Sequence, residues 1–530
     1  MRAGQGPTRR ALFTAGATGA AMAALPSPAR AAGAPRTAPA ATGRPRAASY
    51  RAEYHFTAPD QWKNDPQRPL WIDGEYHYYY LYNPDYIAGG TRAGTVWRLA
   101  TSTDLVTFRD RGTAIPKDTT PAGDVWSGCA VLDTENTAGF GRGAVVVLAT
   151  QEPVEGADSQ AQYLWYSTDR GRTFRPYGDG ATPVLPNPGV KDFRDPKIVR
   201  DEARGRWVMV LAEGTKVGFY LSHDLRKWTY ASGFVREGLG VLECPDLFRL
   251  EGPDGTAVWV LGVSANGKPR GLPNTYAYWT GAFDGTAFTA DAHEPQWLDH
   301  GFDWYGAVTF DRHRPDGSPD PKVRYALAWM NNWDYPDNTP TLDTDGFNGT
   351  DSIVREITLR QDAAGVRYLA SAPVSALASH ASRTVDHGDL RVDGTLPLPA
   401  TTTAYELTTE ITWSGPLTGA GVQLRRSGDG TRHIDAGVYE RTAFVNRRNC
   451  ANPDTSGKHQ ESRSPFDPAG RRVRMRVLVD RTTVEVFFDD GRHSHAMEAF
   501  PYLVDTGLSL FTIGGPAEFR GTVVREFGRA

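Results

Sequence analysis

Trp62-Lys63-Asn64-Asp65-Pro66-Gln67-Arg68-Pro69 is the stretch whose reading decides the fold. It sets one carboxylate between an amide and a proline. Proline fixes its own φ and biases the residue before it away from the helical region, so Asp65 lies in stiff, extended backbone. Asn-Asp-Pro is also ordinary turn chemistry, and taken alone a turn is the simpler reading. Recurrence changes that. Four further units open with a polar or acidic residue beside an apolar strand: Ser127-Gly128-Cys129-Ala130-Val131, Arg194-Asp195-Pro196-Lys197-Ile198, Glu243-Cys244-Pro245-Asp246-Leu247 and Trp304-Tyr305-Gly306-Ala307-Val308. The openings return roughly every 50–67 residues, a spacing within the range of repeat architectures.

Between the openings the text is strand and turn. Alternating runs such as Glu75-Tyr76-His77-Tyr78-Tyr79-Tyr80-Leu81 and Arg206-Trp207-Val208-Met209-Val210-Leu211 are bounded by Gly, Asp and Asn. Several units close on an Asp-centred hairpin with an aromatic residue, as in Ser222-His223-Asp224-Leu225-Arg226-Lys227-Trp228. No long segment carries a helical period. The expected fold is all-β: a five-bladed β-propeller over residues 50–360, with the first strand of each blade lining the central channel. Asp65, Asp195 and Glu243 then converge at one mouth. A β-sandwich of similar strand count is the alternative, but it does not explain why acids recur at equivalent places. Residues 361–385, rich in Ala, Ser and Val, read as a linker with a short helix. From 386 to 530 alternation resumes, with turns at Asp429-Gly430 and Asp490-Gly491, and a second, β-sandwich domain is expected.

The N-terminus reads as an address. Thr8-Arg9-Arg10-Ala11-Leu12-Phe13 is a twin-arginine start, an Ala-rich run follows, and Ala29-Arg30-Ala31 offers a small-x-small cleavage site. Residues 1–31 are therefore expected as a signal peptide, 32–49 as a disordered lead-in, and the mature protein as secreted and extracellular. A net charge of −4 gives no basic field for nucleic acid. No run of 18 or more apolar residues suggests a membrane span. Three cysteines, Cys129, Cys244 and Cys450, leave room for one disulfide or for three buried thiols. No Cys or His pair has zinc-ligand spacing, so nothing resembles a zinc site. With 14 Trp, 22 Tyr and 22 Phe the chain suits β structure and the C–H faces of sugars.

Glycosidic cleavage needs two carboxylates, one ionised to attack the anomeric carbon and one protonated to release the leaving oxygen. Asp65 suits the first role. Glu243, flanked by Leu242 and by Cys244-Pro245, sits in an apolar setting that suits the second. Asp195 could grip adjacent sugar hydroxyls. Singly, Arg194-Asp195 could be a local ion pair and Glu243 a rim charge; the joint recurrence at blade openings argues for chemistry.

These motifs resemble glycoside hydrolase family 32, the retaining β-fructosidases. Trp62–Pro66 resembles the family's Trp-x-Asn-Asp-Pro segment, Arg194-Asp195-Pro196 its Arg-Asp-Pro segment and Glu243-Cys244-Pro245 its Glu-Cys segment. Trp126-Ser127-Gly128-Cys129-Ala130 and Trp329-Met330-Asn331-Asn332-Trp333 match further ones. The resemblance implies Asp65 as nucleophile, Glu243 as acid and then base, and Asp195 as transition-state stabiliser, with neither a metal nor a cofactor expected. It implies a fructose subsite lined by Asn64, Trp126, Ser127, Arg194 and Trp329, with Gln67, Arg68 and Trp97 completing the expected substrate-binding set. Where the family usually has Asn-Gly after Asp-Pro, this chain has Gln67-Arg68-Pro69, and Leu81 replaces a Gln. Both departures resemble the levanbiohydrolase and levan fructotransferase branch. The expected activity is therefore exo-cleavage of β-2,6-fructan with release of levanbiose by a monomeric enzyme. Alternatives are formation of a difructose dianhydride and release of free fructose. A non-catalytic fructan-binding protein and an inverting arabinan-acting relative are the more distant readings.

Overall fold

The computed structural model describes residues 49–90, 92–151, 159–267, 271, 274–399, 402–467 and 470–528. The expected signal peptide and residues 32–48 of the lead-in lie outside the described residues. The fold is all-β, with only short helical turns among the described residues. Five sheets occupy residues 61–373 and two six-stranded sheets residues 383–526.

The inner strands of the five sheets are Gln61–Pro66, Val125–Asp133, Phe193–Asp201, Leu242–Glu251 and Tyr305–His313. Each begins at one of the repeated openings and each is largely buried, whereas an outer strand such as Thr229–Val235 is mostly exposed. The hydrophobic cores lie between sheets. One joins Leu81, Trp97 and Leu99 of the first sheet to Val145, Val147 and Trp165 of the second. Others join the second to the third, the third to the fourth and the fourth to the fifth. A further core joins Val308, Phe310 and Leu327 of the fifth sheet back to Tyr76, Tyr78 and Tyr80 of the first.

All five inner strands slip register at the same step: Lys63/Pro66, Val125/Gly128, Arg194/Lys197, Glu243/Asp246 and Tyr305/Val308. A bulge of this kind leaves residues outside the ladder, bends the strand and re-aims side chains. The residues in or beside the slips are the ones whose recurrence is visible in the sequence. Asp195 at φ 62° and Cys244 at φ 46° are held there in the left-handed region, an arrangement that costs of order 1–3 kcal/mol each and persists only where the surroundings impose it.

In the last two sheets alternation does the work. Along Arg472–Val479 the Val473, Met475, Val477 and Val479 side chains face inward against Val422, Leu424 and Leu510 of the opposite sheet. The stretch 361–385 is more structured than a linker. Arg367–Pro373 is the outer strand of the fifth sheet, and Ser375–His380 forms a 3-10 turn. Ser371 N donates to Gly491 O at 2.9 Å. A Cβ at Gly491 would lie 1.6 Å from Ser371 O, so the Asp490-Gly491 hairpin rests directly on this strand.

Buried charge crosses the same seam. Arg355 donates to Glu485 and, at 2.7 Å, to Asp299, while His55 lies 3.0 Å from both Asp480 and Glu485. Arg447 donates to Asp303 at 2.6 Å and to the Tyr335 hydroxyl at 3.0 Å. All three cysteines are free thiols and buried.

Candidate active site

Three carboxylates from three strands meet where the bulges lie. Asp65 is fully buried, and Asp195 and Glu243 are nearly so. Asp65 accepts from Ser127 Oγ at 2.6 Å and from Asn64 Nδ2 at 3.0 Å. Asp195 Oδ2 accepts from the backbone N–H of Cys244 at 3.0 Å, and Asp195 N donates to Thr150 Oγ1 at 2.9 Å. The Cys244 thiol lies 3.6 Å from Asp195 Oδ2 and 4.0 Å from Asp65 Oδ2, tying the two acids into one cluster. Glu243 accepts from Arg194 Nε at 3.0 Å and from the Tyr305 hydroxyl. Arg194 is itself oriented by Asp192 at 2.6 Å and Gln160 at 3.3 Å.

Local sequence explains this convergence. Gly306, at φ 61°, brings its backbone against Asp65; a Cβ there would sit 2.9 Å from Asp65 Oδ1. Gln67 accepts from Gly128 N at 2.8 Å and donates to Asp65 O at 3.1 Å, fastening the first inner strand to the second. Trp62, Tyr305 and Trp329 pack together beside the acids, with Tyr86 and Trp333 at their edge. The Trp62 and Trp329 rings meet edge-on at 6.3 Å.

Lys63 is fully buried one residue before Asn64. Its ammonium pairs with Asp351 and lies 3.4 Å from the Tyr78 hydroxyl, which also donates to Asp351. Burial pushes the Lys63 pKa down and the Asp351 pKa up, and each is held against that by the other's charge. Deeper along the inner strands Lys197 Nζ donates to Asp246 at 3.1 Å and to Thr309 O at 3.0 Å, plugging the space below the acids.

The expected site residues fall into three groups. Asp65, Asn64 and Ser127 form one hydrogen-bonded group and Glu243 and Arg194 a second, with Cys244 contacting both Asp195 and Asp65; Trp126 is half-buried beside Ser127 and Trp329 stands in the aromatic wall. Gln67 and Trp97 are supports: Gln67 bonds backbone, and Trp97, fully buried, donates its indole N–H to Trp126 O at 2.9 Å. Arg68 lies elsewhere. Its guanidinium donates to Ile198 O at 2.9 Å and pairs with Asp311 at 3.3 Å, three residues or more farther along the inner strands than the acids. Leu81 likewise packs in the core beside Trp97 and does not form a wall of the acid cluster.

Sequence reasoning passed over Tyr305, Thr150, Asp192 and the Lys63–Asp351–Tyr78 group. Tyr305 carried a signal, since it stands at the start of the slip in the fifth opening as Glu243 does in the fourth. Asp351 is distant in sequence and becomes a neighbour where Phe347–Asn348 runs parallel to Gln61–Pro66.

Comparison with known proteins agrees with this geometry. Residues 55–372 match the glycosyl hydrolases family 32 N-terminal domain and residues 374–526 the family's C-terminal domain. A levanbiose-producing levanase of Bacillus subtilis is 52% identical over 90% of this chain and 91% of its own. A second, from Geobacillus stearothermophilus, is 52% identical over 76% of this chain and all of its own. The crystal structure of exo-inulinase from Aspergillus awamori superposes with a TM-score of 0.80, at 26% identity, over 91% of this chain and 99% of that one. With both halves matched and the acids gathered on one bulged rim, the chain belongs to glycosyl hydrolases family 32 and is a glycosidase.

Proposed function

We propose that this protein is an exported, exo-acting β-2,6-fructan hydrolase that removes levanbiose from the ends of levan by double displacement. In this reading the five sheets are the blades of a propeller, the last two sheets form a sandwich, and the acid cluster is the floor of the substrate pocket. The observation that carries the proposal is the cluster of Asp65, Asp195 and Glu243 in a chain 52% identical to levanbiose-producing levanases.

Asp65, aimed by Asn64 and Ser127, attacks the anomeric carbon of the second fructosyl unit from the chain end. Glu243 gives its proton to the departing oxygen, and a difructosyl ester forms on Asp65. Water enters on the same face, Glu243 takes its proton, and levanbiose leaves with retained configuration. Two influences oppose each other at Glu243. Burial favours its protonated form, which the first step requires; donation from Arg194 and Tyr305 favours the carboxylate, which the second requires. Asp195 Oδ2 is already engaged by Cys244 N, which fixes the carboxyl group for binding vicinal hydroxyls of the fructosyl ring.

The twin-arginine start supports export, and action as a monomer completes the proposal. A levan fructotransferase would share the first step and differ in the acceptor. Chromatography of a levan digest separates the readings: levanbiose is expected, whereas the dianhydride or fructose as sole product would overturn this one. Asp65→Asn and Glu243→Gln are each expected to abolish turnover while the near-UV circular dichroism stays that of the parent.

A further inference from the structure

Five arginines are buried among the described residues: Arg194, Arg324, Arg355, Arg425 and Arg447. Four of them meet carboxylates. Arg194 pairs with Asp192 and Glu243, Arg324 with Asp311, Arg355 with Asp299 and Glu485, and Arg447 with Asp303. Arg425, only 1% exposed, forms no ion pair among the described residues. Its Nε donates to Asp505 O at 2.8 Å and its Nη2 to Tyr502 O at 3.2 Å. Its Nη1 is buried without a hydrogen-bond partner among the described residues. A guanidinium taken out of water without a counter-charge is costly to keep. Burial lowers the Arg425 pKa, whereas at Arg355 the two acids outweigh burial and raise it.

The backbone imposes this position. Arg425 stands in the strand Gly419–Arg426, whose pairing with Gly507–Ile513 slips register between Gln423 and Arg426. Within the slip Arg425 has φ 50°. The same combination of bulge and left-handed backbone presents Asp195 and Cys244 in the acid cluster. Bulges re-aim side chains, and strain of this kind gathers at binding sites.

Arg425 lines a cavity of about 210 Å³ together with Arg432, Arg448, Asn449, Tyr502 and Asp505. Asp505 is the one carboxylate in that lining, and Arg432 donates to both of its oxygens, at 2.9 and 2.8 Å. Arg448 is exposed and forms no ion pair among the described residues. Three guanidiniums against one carboxylate leave two positive charges in the lining. We propose that this cavity binds a tetrahedral oxyanion of the phosphate or sulfate class, with Arg425 as its buried anchor and Arg448 at its mouth.

The surplus charge matches a dianion. A guanidinium is a fork of donors with no acceptor, suited to anionic oxygens. A tetrahedral ion has oxygens to offer both to the floor and to the mouth of the cavity, which a planar carboxylate does not. The lining comes from three segments far apart in sequence: the bulged strand, residues 448–451 and residues 500–505. An anion held here joins all three. It therefore stabilises the C-terminal half of the molecule and takes no part in the chemistry at the acids.

The test is titration calorimetry of inorganic phosphate into the full-length protein, with ionic strength held constant by sodium chloride. One saturable site is expected, with sulfate competing for it. Arg448→Gln should weaken binding about three- to tenfold, the loss of one exposed charge-assisted contact. Arg425→Met should weaken it about thirtyfold or more, the loss of a buried one. Arg391→Gln, an exposed arginine in the other C-terminal sheet, should bind as the wild type does. Near-UV circular dichroism reports whether each variant is folded, and if Arg425→Met is not, Arg448→Gln decides. Phosphate should also raise the unfolding midpoint of the wild type more than that of Arg448→Gln. Absence of saturable binding to the wild type overturns the proposal. So does unchanged affinity in Arg448→Gln, or an equal loss in Arg391→Gln.

Discussion

Raising the pH through 9 should weaken the seam between the two halves of the molecule, and His55 is the residue through which it acts. Its ring is fully buried, with Nδ1 3.0 Å from Asp480 and Nε2 3.0 Å from Glu485. A carboxylate on each ring nitrogen matches the imidazolium, the form that donates from both. Burial works against that charge, but the two acids outweigh it and lift the pKa from 6.5 to about 9. At 1.36 kcal/mol per unit, the difference is worth about 3 kcal/mol of stability. Because the folded-state pKa is the raised one, this stability is fully present below about pH 6.5 and is lost as the pH climbs through about 9. Asp480 and Glu485 are held below the ordinary carboxylate range, so their own contribution fades only in acid and does not confuse this window. The assay is guanidinium unfolding followed by tryptophan fluorescence, run from about pH 6 to about pH 10 on the wild type and on His55→Gln. The wild type should lose about 3 kcal/mol more than the variant across that range. Parallel pH profiles for the two proteins would refute the assignment of charge to His55.

Three further outcomes are expected. Tyr305→Phe removes a hydrogen bond to Glu243 worth about 1.5–3 kcal/mol to the carboxylate, so the alkaline limb of kcat/KM should move up by about one to two pH units; an unmoved limb would show that Tyr305 does not act on Glu243. Lys63→Met should cost about 3–5 kcal/mol because it strands Asp351, whereas Lys63→Met with Asp351→Leu should recover more than half of that; equal losses in the two would show that the charge pair is not what matters. Arg68→Gly should leave the ratio of levanbiose to fructose unchanged, since the guanidinium is engaged by Ile198 O and Asp311 away from the acids; a swing toward fructose would return Arg68 to the substrate pocket.

Much of the architecture is legible in the sequence because the repeat that carries the chemistry is also the repeat that carries the bulge. Asn64-Asp65-Pro66, Arg194-Asp195-Pro196 and Glu243-Cys244-Pro245 each put a residue with its own backbone preference where a register slip is needed, so one reading serves fold and site together. Tyr305-Gly306 is the same device without an acid, and for that reason only its strand is recognised. What local pattern does not convey is direction and distance. Gln67 and Arg68 follow the motif directly, yet their side chains turn to backbone and to the far end of the bundle, and Trp97, on another strand, turns into the core. The Ala- and Ser-rich stretch near 370 reads as a linker because small residues have no strand signal of their own. The contact that orders it is long-range: Gly491, 120 positions later, rests directly on the Ser371 backbone.

The most direct test of the central claim is to catch the covalent intermediate. Wild-type enzyme quenched in acid during turnover of levan, digested and analysed by mass spectrometry should yield a peptide carrying two fructosyl units on Asp65. One fructosyl unit there would contradict release of levanbiose, and an adduct on any other residue would contradict Asp65 as the nucleophile.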